Sequence, residues 1–227
     1  MVSFLKSSIF KSNANQSHMK SEYSKNEELA NAISHGLGVL FGIIALTMMV
    51  AISNENSNKL IGSIVYGISI ILLFSASTLY HSLSSDSLRK KLKTLDHLSI
   101  YILIAGTYTP YMLVSLADNS GFTYLKWIWG FALLGVCFKL FLGHKYEKLS
   151  LASYLGMGWF IIVAGKEMLE SISYNGLFYL LLGGLAYTFG AIFYAWKGLK
   201  FNHAIWHCFV LAGAVFHFLS IYWFVLQ

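Results

Sequence analysis

The chain has 227 residues, 56% of them hydrophobic and only 11% charged, where soluble domains carry about 25% charged residues. With a mean hydropathy of +0.61, this excludes a soluble globular domain and marks a polytopic membrane protein. The net charge of +6 reads, from its placement along the chain, as membrane orientation and not as a nucleic-acid surface.

Residues 1–30 are polar and form an N-terminal tail, followed by one membrane domain over residues 31–227. No long apolar core precedes a small-residue cleavage site, so no cleaved secretory signal is expected and the first span directs insertion. Phe4, Leu5, Ile9 and Phe10 stand among lysines. They are expected in a solvated tail, with a stretch lying along the inner membrane surface as the alternative.

A window of ~19 residues picks out apolar stretches at about 33–52, 60–83, 97–116, 125–142, 149–164, 176–196 and 203–226. Seven spans follow. The fifth is the weakest, with Ser150, Ser153, Tyr154, Gly156, Gly158 and Gly165 at its end, so six spans plus a re-entrant segment is the alternative. Gly38 and Gly42 in the first span and Gly183 and Gly184 in the sixth offer small surfaces for close helix packing. Pro110, the only proline, is expected to kink the third span or release a backbone carbonyl there. Cys137 and Cys208 fall inside spans and suggest no disulfide; Cys208 is read as a packing residue.

Lysine and arginine collect on the cytoplasmic side of a bilayer. The tail and even-numbered loops hold Lys6, Lys11, Lys20, Lys25, Arg89, Lys90, Lys91, Lys93, Lys145, Lys148, Lys197 and Lys200, with Lys139 ending the fourth span. The opposite side holds Lys59, Lys126 and Lys166. The expected fold is therefore an all-α, seven-transmembrane-helix bundle with the N-terminus inside and the C-terminus outside.

That topology places Ser77 and His81 in the last inner turns of span two, Asp96 and His97 at the start of span three, and His203 and His207 in the first turns of span seven. All converge at the inner leaflet, where an ionisable side chain is a functional hypothesis by default. His203 and His207 share a helix face about 6 Å apart along the axis, a spacing that chelates one ion. With His81 they make three neutral imidazoles, a zinc site with one open position. Ser77 lies on the face of His81, one turn deeper. The bland reading is that these histidines bond between helices or snorkel to the interface. His35 and His97 sit at the right level to support the ligands; His217, ~15 Å beyond His207, is read as an interhelical partner, and His18 and His144 as solvated.

Ser77 and His81 in the order SxxxH, Asp96-His97 followed by Ile-Ala-Gly-Thr-Tyr-Thr-Pro at 104–110, and His-Ala-Ile-Trp-His at 203–207 resemble the hemolysin III branch of the progestin and adipoQ receptor (PAQR) family. The segment from Glu27 to Gly36 is similar to that family's entry into its first span. The likeness covers about residues 25–226 and extends distantly to adiponectin receptors and alkaline ceramidases. It implies zinc ligation by His81, His203 and His207, a role for Asp96 in holding water at the metal, and an assisting role for Ser77. His97 and Glu28 belong to the branch's pattern. The chain lacks the large extra regions of the animal receptors, so a hormone-receptor role is not expected.

An open zinc in the inner leaflet, reached by lipid from the side, implies zinc-dependent hydrolysis of a membrane lipid amide or ester. Two other classes are weighed: a sensor or receptor of membrane state with structural zinc, and a pore-forming haemolysin. Against the pore, the ionisable groups cluster at one end of the spans instead of forming a polar stripe through them. The resemblance places the protein in a bacterial inner membrane; protein partners are not legible.

Overall fold

The computed structural model describes residues 23–83, 85–118, 120–142 and 145–227. The tail apolar residues, His18 and His144 lie outside that set. The helices are α1 (Lys25–Ser53), α2 (Ser57–Ser82), α3 (Asp86–Pro110), α4 (Gly121–Leu142), α5 (Glu147–Trp159), α6 (Gly165–Ser171), α7 (Tyr174–Ala195) and α8 (Asn202–Phe224). A 3-10 stretch, Phe160–Ala164, joins α5 to α6, so that Glu147–Ser171 forms one of seven segments long and apolar enough to cross a membrane. The seven-span reading holds, and the six-span alternative does not.

Why the first helix starts where it does is readable from its cap. Ser24 accepts the Glu27 backbone N–H and the Glu27 carboxylate accepts from Ser24, a reciprocal capping box that satisfies amides with no partner in the first turn. Beyond the cap, Asn31, His35, Gly38, Gly42, Ala45, Met49 and Ser53 recur every three or four residues and are buried, while Leu29, Ile33, Leu37, Leu40 and Ile44 are exposed to lipid. The stripe therefore sorts by size and polarity instead of by hydrophobicity, as expected where lipid tails are as apolar as leucine. Close approach does the work: a Cβ at Gly38 would lie 2.5 Å from the Phe74 ring and one at Gly42 2.8 Å from Ile70.

Helix α1 packs on α2 and on α8, α2 on α3, α3 on α4 and α7 on α8. The fifth span touches α3, α4 and α7 more lightly, leaving a seam between α5 and α7. Pro110 does more than bend its helix. After it the chain continues as a π-helical turn, Tyr111–Ser115, closed by the Leu116 N–H donating to the Tyr111 carbonyl at 3.0 Å, one of the helix irregularities that go with a local bend. Gly62 of α2 gives the proline room, since a Cβ there would lie 2.9 Å from Pro110 Cα. Cys208 is exposed and Cys137 partly so; the packing role read for Cys208 is not what its position provides.

Candidate metal centre

The C-terminal turns of α2 and the N-terminal turns of α8 meet at the end of the bundle where α1 begins. There His81, His203 and His207 are buried and offer ring nitrogens that all lie within 4.8 Å of one another. These three can hold a metal ion.

The tautomers follow from the partners. His81 Nδ1 is 2.6 Å from Glu28 Oε2; a carboxylate only accepts, so Nδ1 carries the proton and Nε2 presents the lone pair. His207 Nδ1 is 3.2 Å from the Asn31 carbonyl, which likewise assigns it the proton, and its Nε2 makes no hydrogen bond among the described residues. Both nitrogens of His203 also lack hydrogen bonds among those residues, although the ring is enclosed by Tyr23 and Trp206 at 4.9 Å between centroids. Buried ring nitrogens left in this state are costly, and a soft dication that favours neutral imidazole removes the cost. The donor set fits a metal.

Support comes mainly from α1. Glu28 pairs with both His81 and Arg89, and Arg89 in turn lies over the Tyr80 ring. Ser34 Oγ, which donates to the Asn31 carbonyl at 2.9 Å, lies 3.2 Å from His207 Nδ1 and accepts from it. His35 stacks on His207, with centroids 3.4 Å apart and planes 12° from parallel. One helix thus braces ligands from two others.

The start of α8 is held by a strained residue. Phe201 has φ 58°, a left-handed conformation that is unusual and costly for a bulky side chain. Its N–H donates to Glu27 Oε1 at 3.0 Å, so the carboxylate that caps α1 also fixes the entry of the helix bearing His203 and His207.

Among the other expected site residues, Ser77 and Asp96 are both buried and adjacent, the hydroxyl beside the carboxylate. His97 turns elsewhere: its Nδ1 donates to the Lys93 carbonyl at 2.7 Å and stands 3.8 Å from Asp96 Oδ2, beyond hydrogen-bond range. Its ring lines a pocket of about 460 Å³ over the His203 side, with Tyr23, Lys93, Glu147 and Lys197.

A second cavity, about 380 Å³, runs up the bundle interior. His35 and Asp96 line one end, aliphatic side chains such as Leu73, Ile104 and Val210 the middle, and Tyr111, Tyr187 and His217 the other end. Along the α5–α7 seam, its lining residues Ile162 and Leu181 are also exposed on the outer surface, so the cavity opens sideways there. Size and lining suit a small apolar ligand with few polar contacts.

Asn31, Ser34, Arg89, Glu27 and Tyr23 were not singled out from sequence. For the α1 members a signal existed: Glu28, Asn31 and His35 follow a 3-4 spacing inside a span's first turns, a polar stripe where apolar residues are expected. Nothing local marks Arg89 or Tyr23.

A model of the family described as "Haemolysin-III related" matches residues 23–218. The chain is similar to "Hemolysin-3" of Bacillus cereus, 44% identical over 202 residues that cover 88% of this chain and 92% of the relative. It resembles the "Hemolysin-3 homolog" of Bacillus subtilis (strain 168), 41% identical over 207 residues, 90% and 97% of the two chains. The human "Monocyte to macrophage differentiation factor" is 30% identical over 206 residues, 86% of this chain and 83% of that protein.

Proposed function

The chain belongs to the haemolysin-III-related family and is a multi-pass cell-membrane protein, and with that as premise we propose that it hydrolyses a membrane lipid amide or ester at a zinc centre held by His81, His203 and His207. The observation that carries the reading is the juxtaposition of three buried imidazoles with ring nitrogens within 4.8 Å of one another and a laterally open apolar cavity whose end is lined by a buried carboxylate, Asp96.

Zinc supplies Lewis acidity there when bound. Asp96, sequestered from bulk water, orients the attacking water and takes its proton. Ser77, beside it, donates a hydrogen bond to the oxygen on which negative charge develops at the scissile carbonyl. The acyl chain occupies the apolar cavity, entering between α5 and α7 from the bilayer. The basic loops support a cytoplasmic position for this site, with the N-terminus inside.

The test is metal content of the purified protein together with fatty-acid release from mixed lipid amides and esters. Wild type should carry one zinc per chain and release fatty acid. His207→Ala should lose both; Asp96→Asn should keep zinc and lose hydrolysis. Zinc in wild type without turnover of any lipid would instead favour a sensor with structural metal. Dose-dependent liposome leakage indifferent to all these substitutions would favour the haemolysin reading.

A further inference from the structure

The distal end of the apolar cavity is not apolar. Tyr111, Tyr187 and His217 line it, and the two phenolic hydroxyls and His217 Nδ1 are buried with no hydrogen-bond partner among the described residues. His217 Nε2 lies 3.2 Å from the Leu180 carbonyl. A carbonyl only accepts, so Nε2 carries the ring proton and Nδ1 is left as a lone pair that requires a donor. Ser220, the polar neighbour of Tyr111, donates its proton to the Gly176 carbonyl at 2.7 Å.

These side chains are seated deliberately. The His217 ring lies over Gly183, where a Cβ would come within 2.1 Å of it, and the Tyr187 ring lies over Gly213, where a Cβ would be 2.8 Å away. Each helix of the α7–α8 pair thus gives up a side chain to admit the other's polar ring, and the two rings stand 5.5 Å apart between centroids. A pair of such exchanges at the end of an otherwise aliphatic cavity makes a built site, and unmet buried polar atoms are costly enough to demand a partner.

We propose that this end of the cavity is a subsite for a hydroxyl group, so that the lipid taken by the protein carries a hydroxyl on its chain about 15 Å from the metal centre, the rise from His207 to His217 along α8. The inference rests on the reading of the cavity as a lipid site. A hydroxyl both donates to His217 Nδ1 and accepts from a tyrosine; an ether or ketone can only accept, and a methyl group does neither.

Equilibrium binding tests this apart from any hydrolysis. Full-length protein in nanodiscs is loaded with dansyl-undecanoic acid, which is displaced by lauric, ω-hydroxylauric or ω-methoxylauric acid. The ω-hydroxy acid should displace about tenfold more strongly than the ω-methoxy ether, the worth of a buried hydrogen bond. His217→Leu, which removes the acceptor for the ligand's proton, should abolish that preference, whereas Tyr187→Phe with Tyr111→Phe, which keep the rings and remove donors that both oxygen ligands accept from, should weaken the ω-hydroxy and ω-methoxy acids alike relative to lauric acid. Equal displacement by all three acids, or a preference of hydroxyl over ether untouched in His217→Leu, overturns the subsite while leaving lipid hydrolysis standing. Failure of every acid to displace the probe overturns both.

Discussion

Replacing Glu28 by alanine removes an acceptor 2.6 Å from His81 Nδ1 and the carboxylate that Arg89 pairs with. His81 then loses what fixes its tautomer and its ring orientation, although the metal-facing nitrogen is unaltered. Partners of this kind are worth about 10–100-fold in metal affinity, or roughly 1.4–2.7 kcal/mol. The Glu28 side chain is 12% exposed and that of His81 fully enclosed, so water does little to screen the pair and the loss should fall in the upper half of that range. Glu28→Gln keeps an accepting oxygen without its charge; because a charge-assisted bond is about twice as strong as a neutral one, it should fall between the alanine variant and wild type. Competition between the metal-stripped protein and a chromophoric chelator reads the affinity directly. If Glu28→Ala competes as well as wild type, the carboxylate does not position His81 and the brace from α1 is incidental.

Three further outcomes follow from the packing and the charge pattern. Gly183→Ala places a Cβ 2.1 Å from the His217 ring and should lower thermal stability by about 1–3 kcal/mol, whereas Gly130→Ala, with nothing within 4 Å of its Cβ, should be neutral or slightly stabilising; equal effects would refute the close α7–α8 fit. Glu27→Ala removes both the α1 cap and the acceptor for Phe201 N–H, and should lower the melting temperature by the equivalent of about 1 kcal/mol together with weakened metal retention; a loss of stability with metal unaffected would separate the cap from the placement of α8. A cysteine at Lys59 should react with a membrane-impermeant maleimide in intact cells, and one at Lys148 only after lysis; the reverse pattern would invert the orientation inferred from the lysines.

The span count and the histidine pair of α8 were legible because both are one-dimensional patterns. Apolar length marks a crossing, and His203 and His207 share a face by spacing alone. His81 joined them only through topology, since it must end a span that descends toward the same leaflet. What escaped was contact between distant segments: Arg89 reaches Glu28 on a different helix, and Ser34 meets His207 across most of the chain. Pro110 announced a disturbance in its helix but not its form: the π turn follows it, and the room for the proline comes from Gly62 on another helix. The polar end of the long cavity was invisible for the same reason; Tyr111, Tyr187 and His217 come from three spans, and only packing brings them to one place.

The three histidines that can hold a metal are carried by α2 and α8, and the groups that brace them are on α1. A ribosome making this chain inserts the first two spans long before the last one exists, so the centre cannot assemble until synthesis is complete. A metal held by these three histidines would fasten the final helix to the second, with the first helix bracing both. A nascent or truncated chain lacking α8 would display His81 and Glu28 on an open face, recognisable to membrane quality control as unfinished, and scarcity of the ion would leave even full-length copies in that unfastened condition.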